Sequence, residues 1–196
     1  LAFRLIAKNE AIEVYEYLDP LVQQSLLDRL RSSEVLELVE EMSPDERVRL
    51  FDELPAKVVR RLLSQLSPSE RRVTAQLLGY EPETAGRLVT TEFIDLKESH
   101  TAAQALKIVR RRAPDTETIY SLYVTDSERH LTGILSLRDL VTADPSSLIG
   151  EVMTRDVVSV RTDTDQEEVA RAIQRYDFLA LPVVDREKRL VGIVTV

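Results

Sequence analysis

The stretch EVLELVEEMSPDERVRLFDEL, residues 34–54, carries eight acidic side chains against two arginines. Carboxylates at this density suit the binding of a hard divalent cation. Mg²⁺ takes oxygen ligands in an octahedron and keeps several waters when one or two carboxylates hold it. Glu41 and Asp45 flank the start of one helix and would present their carboxylates together. Two such charges about 6 Å apart repel by about 3 kcal/mol at an effective dielectric of about 20, and a bridging cation relieves that repulsion. A plainer account of the same residues stays open. Asp45 and Glu46 are what a helix N-terminus favours, and the rest would form a solvated face. Further on, QRYDFLALPVVD (174–185) puts Asp177 and Phe178 at a helix end. A turn aspartate beside a core phenylalanine is an equally simple reading there.

Other chemistries find little support. The two histidines, His100 and His130, are isolated in turns, without a neighbouring nucleophile or metal-ligand spacing. No glycine-rich phosphate loop is present. The absence of cysteine excludes disulfides, thiolate metal sites and cysteine nucleophiles. No catalytic residue is expected, and the chain is read as a non-enzyme. A formal net charge of −8 argues against general nucleic-acid binding, and an acidic surface can recruit cations instead. No apolar run approaches the roughly eighteen residues of a membrane span.

Two kinds of element must position these residues. Pro20, Pro44 and Pro68 recur at intervals of 24 residues, each preceded by Asp19, Ser43 or Ser67. That pattern is a helix start, with proline at the first helical position and a capping side chain before it. Glu46 and Glu70 are expected to complete capping boxes. Apolar residues then recur at helical steps, as in Leu50, Leu54, Val58 and Leu62, with a second break near Pro55. Each repeat is therefore expected to be a pair of short helices, stacked as a solenoid.

After GYEPETAGRLVTTEF (79–93) the pattern becomes alternating, and the remainder reads as two copies. Residues 89–106 match 153–170 at an offset of 64, and 122–137 match 181–196 at an offset of 59. The difference of five residues falls around RRRAPDTET. Each copy reads strand, helix, strand, tight turn, strand, with helices expected near 101–113 and 165–176. The first copy continues into a helix at LRDLVTAD, whereas the second stops at Val196, and the first residue is leucine rather than methionine. Both ends are expected to be edges within a longer chain.

The tandem β-α-β-β-α repeat resembles a pair of CBS domains. Gly133, Ser136 and Asp139 fill the motif that closes a CBS copy, and Gly192 and Thr195 begin it again. With the 24-residue helical repeat and the junction YEPETAGRLVTTEF, the chain resembles the cytosolic part of the MgtE family of magnesium transporters along its full length. The resemblance implies an α + α/β chain. An all-α solenoid N domain at 1–85 is followed by a first CBS domain at 86–149 and a second at 150–196.

In that family the cytosolic part senses Mg²⁺. Bound ions hold a compact dimer, joined through the CBS domains, that keeps the pore of a separate membrane domain shut. The expected location is the cytoplasmic face of the cell membrane. The resemblance implies Mg²⁺ ligands at Glu41, Asp45 and Asp177, the carbonyl of Gly86 beside Asp177, and Glu10 as a weaker N-domain candidate. A glutamate at 41, where aspartate is common in the family, alters its reach.

CBS pairs also bind ATP or AMP. Asp139 would suit ribose hydroxyls, Arg138 phosphates, and Phe178 could stack on the base, with Ser136 and Tyr120 completing the pocket. Family members often have two adjacent aromatics where this chain has Tyr120-Ser121. A simpler role for Ser136 and Asp139 is to cap the next helix. Two alternatives to ion sensing follow: an adenine-nucleotide-sensing CBS module, or a helical-repeat adaptor for a protein partner, given the similarity of such repeats to flagellar motor switch domains.

Overall fold

The computed structural model describes residues 17–22, 25, 32–54 and 56–196. The chain forms two compact units, Leu1–Gly79 and Tyr80–Val196. The expectation at Glu10 lies outside the described residues, as does Pro55.

The first unit contains helices α1 (Ser32–Glu41), α2 (Pro44–Glu53), α3 (Ala56–Gln65) and α4 (Pro68–Leu78). Helical backbone also begins at Pro20, where the Oδ1 of Asp19 accepts from the Leu21 amide at 2.9 Å. All three proline-led starts are thus helix N-termini. α1 packs on α3 and α2 on α4, so helices one repeat apart stack like on like, as in a solenoid. Their apolar stripes form a core from Val35, Leu38, Val39, Met42, Leu50 and Phe51 with Leu62 and Leu66. Val58 is exposed.

The expected capping boxes take a different form. Ser67 Oγ does accept from the Glu70 amide, at 3.4 Å. The carboxylate of Glu70 turns away to Arg47, and the Ser67 amide is met instead by Glu40, at 3.1 and 3.2 Å. At the start of α2 the Ser43 side chain makes no capping bond, and Glu46 pairs with Arg49 at 2.5 Å. At α4 the reason is Arg47. It is buried, not part of a solvated face, and a buried guanidinium needs a counter-charge more than a helix end needs a second cap. Arg47 donates to the carbonyls of Glu40 and Met42 at 3.1 and 2.6 Å. One repeat later, Arg71 donates to the carbonyls of Ser64 and Leu66 at 2.6 and 2.9 Å. Each arginine thereby caps the end of the helix before its own, where unpaired carbonyls carry partial negative charge.

The second unit holds two three-stranded sheets. The first is β1 (Asp95–Leu96), β2 (Ser121–Thr125) and β3 (Leu131–Ser136), and the second is β4 (Val160–Arg161), β5 (Ala180–Val184) and β6 (Leu190–Thr195). In each, the first strand runs parallel to the second, which pairs antiparallel with the third. Five further helices complete the unit: α5 (Ala85–Leu88), α6 (Ala102–Arg112), α7 (Leu137–Thr142), α8 (Ile149–Val152) and α9 (Gln166–Tyr176). α6 and α9 are the crossover helices. Thr101 with Gln104 caps α6, and Asp165 caps α9. The five-residue surplus of the first copy is taken up in part by a 3₁₀ turn, Ala113–Asp115, after α6.

The two hairpin tips have the same geometry at an offset of 59. Asp126 Oδ1 accepts from the amides of Glu128 and His130, and Asp185 Oδ1 from those of Glu187 and Arg189. Arg129 and Lys188 take φ of 71° and 63°, the left-handed conformation that these tight turns require.

The copies also interlock. Thr90 exchanges both backbone bonds with Ile193, at 2.9 and 3.0 Å, and Thr154 does the same with Ile134, at 2.8 and 2.9 Å. The leading segment of the first copy therefore pairs with the second sheet, and the leading segment of the second pairs with the first. α5 accordingly packs on β4, β6 and α9, whereas Ile149 of α8 and Met153 join the core of the first copy. The motif glycines make room for this exchange. A Cβ on Gly192 would lie 2.5 Å from the Thr90 carbonyl oxygen, and one on Gly133 would run into Met153.

Candidate functional site

Asp45 sits in the first turn of α2, half-buried. Its Oδ1 is buried and has no hydrogen-bond partner, and burial pushes the carboxyl above the ordinary carboxylate range. A carboxylate kept partly dry and partly unpaired is costly unless something positive arrives. Glu41 is the last residue of α1, two residues before the Ser43 cap of α2, and is exposed. The α1–α2 corner thus holds both residues of the expected acidic pair.

Gly86 is buried in α5, where its amide donates to the Thr162 carbonyl at 2.9 Å. A Cβ there would come within 2.7 Å of the Tyr80 ring and 3.0 Å of the Thr162 oxygen, so only glycine fits without a shift. Asp177 caps the end of α9 in the left-handed conformation, φ 51° and ψ 45°, and is exposed. It lines a cavity of about 570 Å³, bounded by one face of α9, the end of β6 and Leu88 of α5. The structure therefore brings Asp177 and the Gly86 helix to one side of the second sheet.

Phe178 lines the same cavity and stacks on Tyr176, with ring centroids 5.3 Å apart. Tyr120, Ser136, Arg138 and Asp139 lie in the first copy. Pairing of Ser121 with Ser136 and a 3.0 Å bond from the Leu137 amide to the Tyr120 carbonyl hold these four around the start of α7. Ser136 and Asp139 form a full capping box there. The Ser136 hydroxyl, 2.6 Å from Asp139 Oδ2, holds that carboxyl below its ordinary range. Tyr120 and Arg138 project into solvent. Phe178 belongs to the second copy, on the wall of its cavity.

Among the described residues, no cluster of three or more His, Cys, Asp or Glu side chains stands ready to hold a metal. Nor, among them, is any helix long and apolar enough to cross a membrane. Sequence reading missed Arg47 and Glu40, which shape the acidic corner around Asp45. The recurrence of arginine three residues after Pro44 and after Pro68 was the available signal.

Residues 1–83 match the MgtE intracellular N domain, and residues 85–146 and 149–196 match the CBS domain. The crystal structure of the cytosolic domain of the Mg²⁺ channel MgtE in complex with ATP is 44% identical and superposes with a TM-score of 0.94. That match covers 98% of this chain and 79% of the other. The chain belongs to the MgtE family. A second MgtE-like structure, the soluble part of a magnesium transporter, is 36% identical with a TM-score of 0.86, over 99% of this chain and 81% of that one. The magnesium transporter MgtE of Thermus thermophilus is 56% identical over 120 residues, 61% of this chain and 27% of that protein. The MgtE of Enterococcus faecalis is 47% identical over 121 residues, 62% of this chain and again 27% of the relative. The chain thus spans about a quarter of the length of these curated relatives. An inosine-5'-monophosphate dehydrogenase of Methanocaldococcus jannaschii is 32% identical over 112 residues, 57% of this chain and 22% of the enzyme. Such similarity to an enzyme runs through the CBS domains that MgtE proteins share with it.

Proposed function

We propose that this chain is the Mg²⁺-sensing regulatory region of a magnesium channel or transporter, and that it carries no catalytic activity. The observation that carries the reading is the buried, unpartnered Oδ1 of Asp45 at an acidic helix corner. Such an oxygen gains more from a cation than an exposed carboxylate does. In this reading Glu41 and Asp45 supply carboxylates on the N domain, and Asp177 and the Gly86 carbonyl supply oxygens on the CBS pair. A hydrated Mg²⁺ needs only one or two carboxylates at each place, which suits a sensor working at millimolar concentration. With ions bound, mutual repulsion of the acidic faces is relieved and a compact dimer forms through the CBS domains. With ions gone, the faces repel, and a membrane pore joined to this region would open.

Small-angle X-ray scattering of the protein with and without millimolar Mg²⁺ tests this, with K⁺ at matched ionic strength as control. Contraction specific to Mg²⁺, weakened in Asp45→Ala with Asp177→Ala, is expected. A dimer that does not contract, or a double variant that contracts as the parent does, overturns the assignment.

A second ligand is favoured by the grouping of Tyr120, Ser136, Arg138 and Asp139 at the start of α7. In this reading an adenine nucleotide binds there, with its phosphates toward Arg138, its ribose hydroxyls toward Asp139 and its base against Phe178, Tyr120 completing the pocket. The similar MgtE domain was crystallised with ATP. Calorimetric titration with ATP and AMP decides it, since Tyr120→Ala should remove the heat of binding and leave the Mg²⁺ response unchanged.

A further inference from the structure

The pseudo-symmetry of the CBS pair sets two junctions side by side for comparison. At the first, the Gly150 amide donates to the Glu98 carbonyl at 3.1 Å, and the neighbouring Ile149 amide to the His100 carbonyl at 2.9 Å. At the second, Gly86 donates to Thr162 at 2.9 Å, and Ala85 to Thr164 at 2.7 Å. All four pairs agree at the offset of 64. The side chains around them differ. Arg155 donates from Nη2 to the Gly150 carbonyl at 3.2 Å and forms a two-armed pair with the Glu98 carboxylate at 3.2 and 3.3 Å. At the second junction Thr162 stands where Glu98 stands, and Thr91 where Arg155 stands. The first junction is closed by the Arg155 guanidinium, and the position that matches it at the second is the neutral Thr91.

We propose that the Glu98 carboxylate and the Gly150 carbonyl form a cation site whose resident is the Arg155 guanidinium, and that a hydrated divalent cation takes its place once the arginine is removed. The donor set suits either occupant. One carboxylate and one backbone carbonyl satisfy the fork of a guanidinium, and they also leave four positions of an Mg²⁺ octahedron to water. In the parent protein the guanidinium already occupies these oxygens, so the first junction leaves no place for Mg²⁺. The ion response is left to the second junction, a comparison that rests on the reading of Gly86 as a ligand given above.

Hydrogen–deuterium exchange with and without millimolar Mg²⁺, at matched ionic strength, reads both junctions in one run. In the parent, residues 148–155 should exchange at the same rate in either condition. In Arg155→Thr they should exchange about fivefold faster without Mg²⁺, the scale of an exposed ion pair lost, and return toward the parent rate with it. In Glu98→Gln with Arg155→Thr, Mg²⁺ should not restore the slow rate. An Arg155→Thr protein without Mg²⁺-specific slowing at 148–155 overturns the proposal, as does equal slowing in the double variant. Residues 84–91 of the parent report on Gly86 separately. If Mg²⁺ leaves them unchanged, the Gly86 reading fails while the Arg155 result stands by itself.

Discussion

Nη1 of Arg47 lies 2.6 Å from Oε2 of Glu70, with the arginine side chain 1% exposed and the glutamate 30% exposed. The same guanidinium also bonds Thr74 and the carbonyls of Val39, Glu40 and Met42, so it ties α1, α2 and α4 together. Removing one partner of a buried pair strands the other polar groups. Arg47→Ala should cost about 3–5 kcal/mol in urea unfolding. Arg71 reaches two equivalent carbonyls but is exposed, so Arg71→Ala should cost about 1 kcal/mol or less. Equal losses would mean that the buried network around Arg47 adds nothing.

Asp45 sets a pH dependence of definite sign. Its folded carboxyl titrates above the ordinary range because burial penalises the charged form. The stability it contributes is therefore present below its unfolded pKa and is lost as pH rises through the raised folded value. Asp45→Asn should make the protein more stable at pH 7, and the gain should fade on acidification. Millimolar Mg²⁺ should raise the melting temperature of the parent more than that of the variant, because a ligand stabilises only the fold that binds it. A variant no more stable than the parent at neutral pH would contradict the cost assigned to the buried oxygen.

The two motif glycines should not be equally sensitive. A methyl group on Gly192 meets the main chain of Thr90 at 2.5 Å and Val89 at 2.8 Å, where nothing can swing aside. On Gly133 it meets the thioether of Met153, the end of a flexible side chain. Gly192→Ala should lose about 1–3 kcal/mol more than Gly133→Ala in thermal or denaturant unfolding. The reverse order would mean that the bridge between Thr90 and Ile193 yields more easily than a methionine.

The capping box of α7 offers a test that separates structure from binding. Ser136→Ala should lower stability by about 1 kcal/mol with or without nucleotide present. Asp139 is held below its ordinary carboxyl range by Ser136, so its contribution is present above the unfolded pKa and is lost as pH falls through the folded one. An Asp139→Asn protein should show a shallower loss of stability on acidification, readable in a pH series of melting temperatures.

Local chemistry was the legible part of this chain. Proline at a first helical position, a cap before it and an apolar step after it are decided within a few residues, so α2 and α4 begin where the 24-residue period places them. Two matching copies likewise give a strand, a helix and a hairpin at the same offsets. What a side chain does far from its own turn was not legible. Glu70 is spaced for a capping box in Ser-Pro-Ser-Glu, and only the fold brings Arg47, 23 residues away, to claim it. The exchange of segments was equally hidden, because two similar texts do not say which copy each will pair with. At the proposed site, Asp45 and Glu41 could be placed at one helix corner from sequence. The dryness of one Asp45 oxygen required the packing around it.

The reciprocal bridges of Thr90 with Ile193 and Thr154 with Ile134 bear on the history of the chain as well as its folding. Each half lends its leading segment to its sibling. A gene divided between them would encode two pieces, each missing the main-chain partner that covers the rim of its sheet and inviting a stranger to take its place. Duplication can produce this architecture in one event, but later loss of either half would ruin what remains. The pair is its smallest heritable piece.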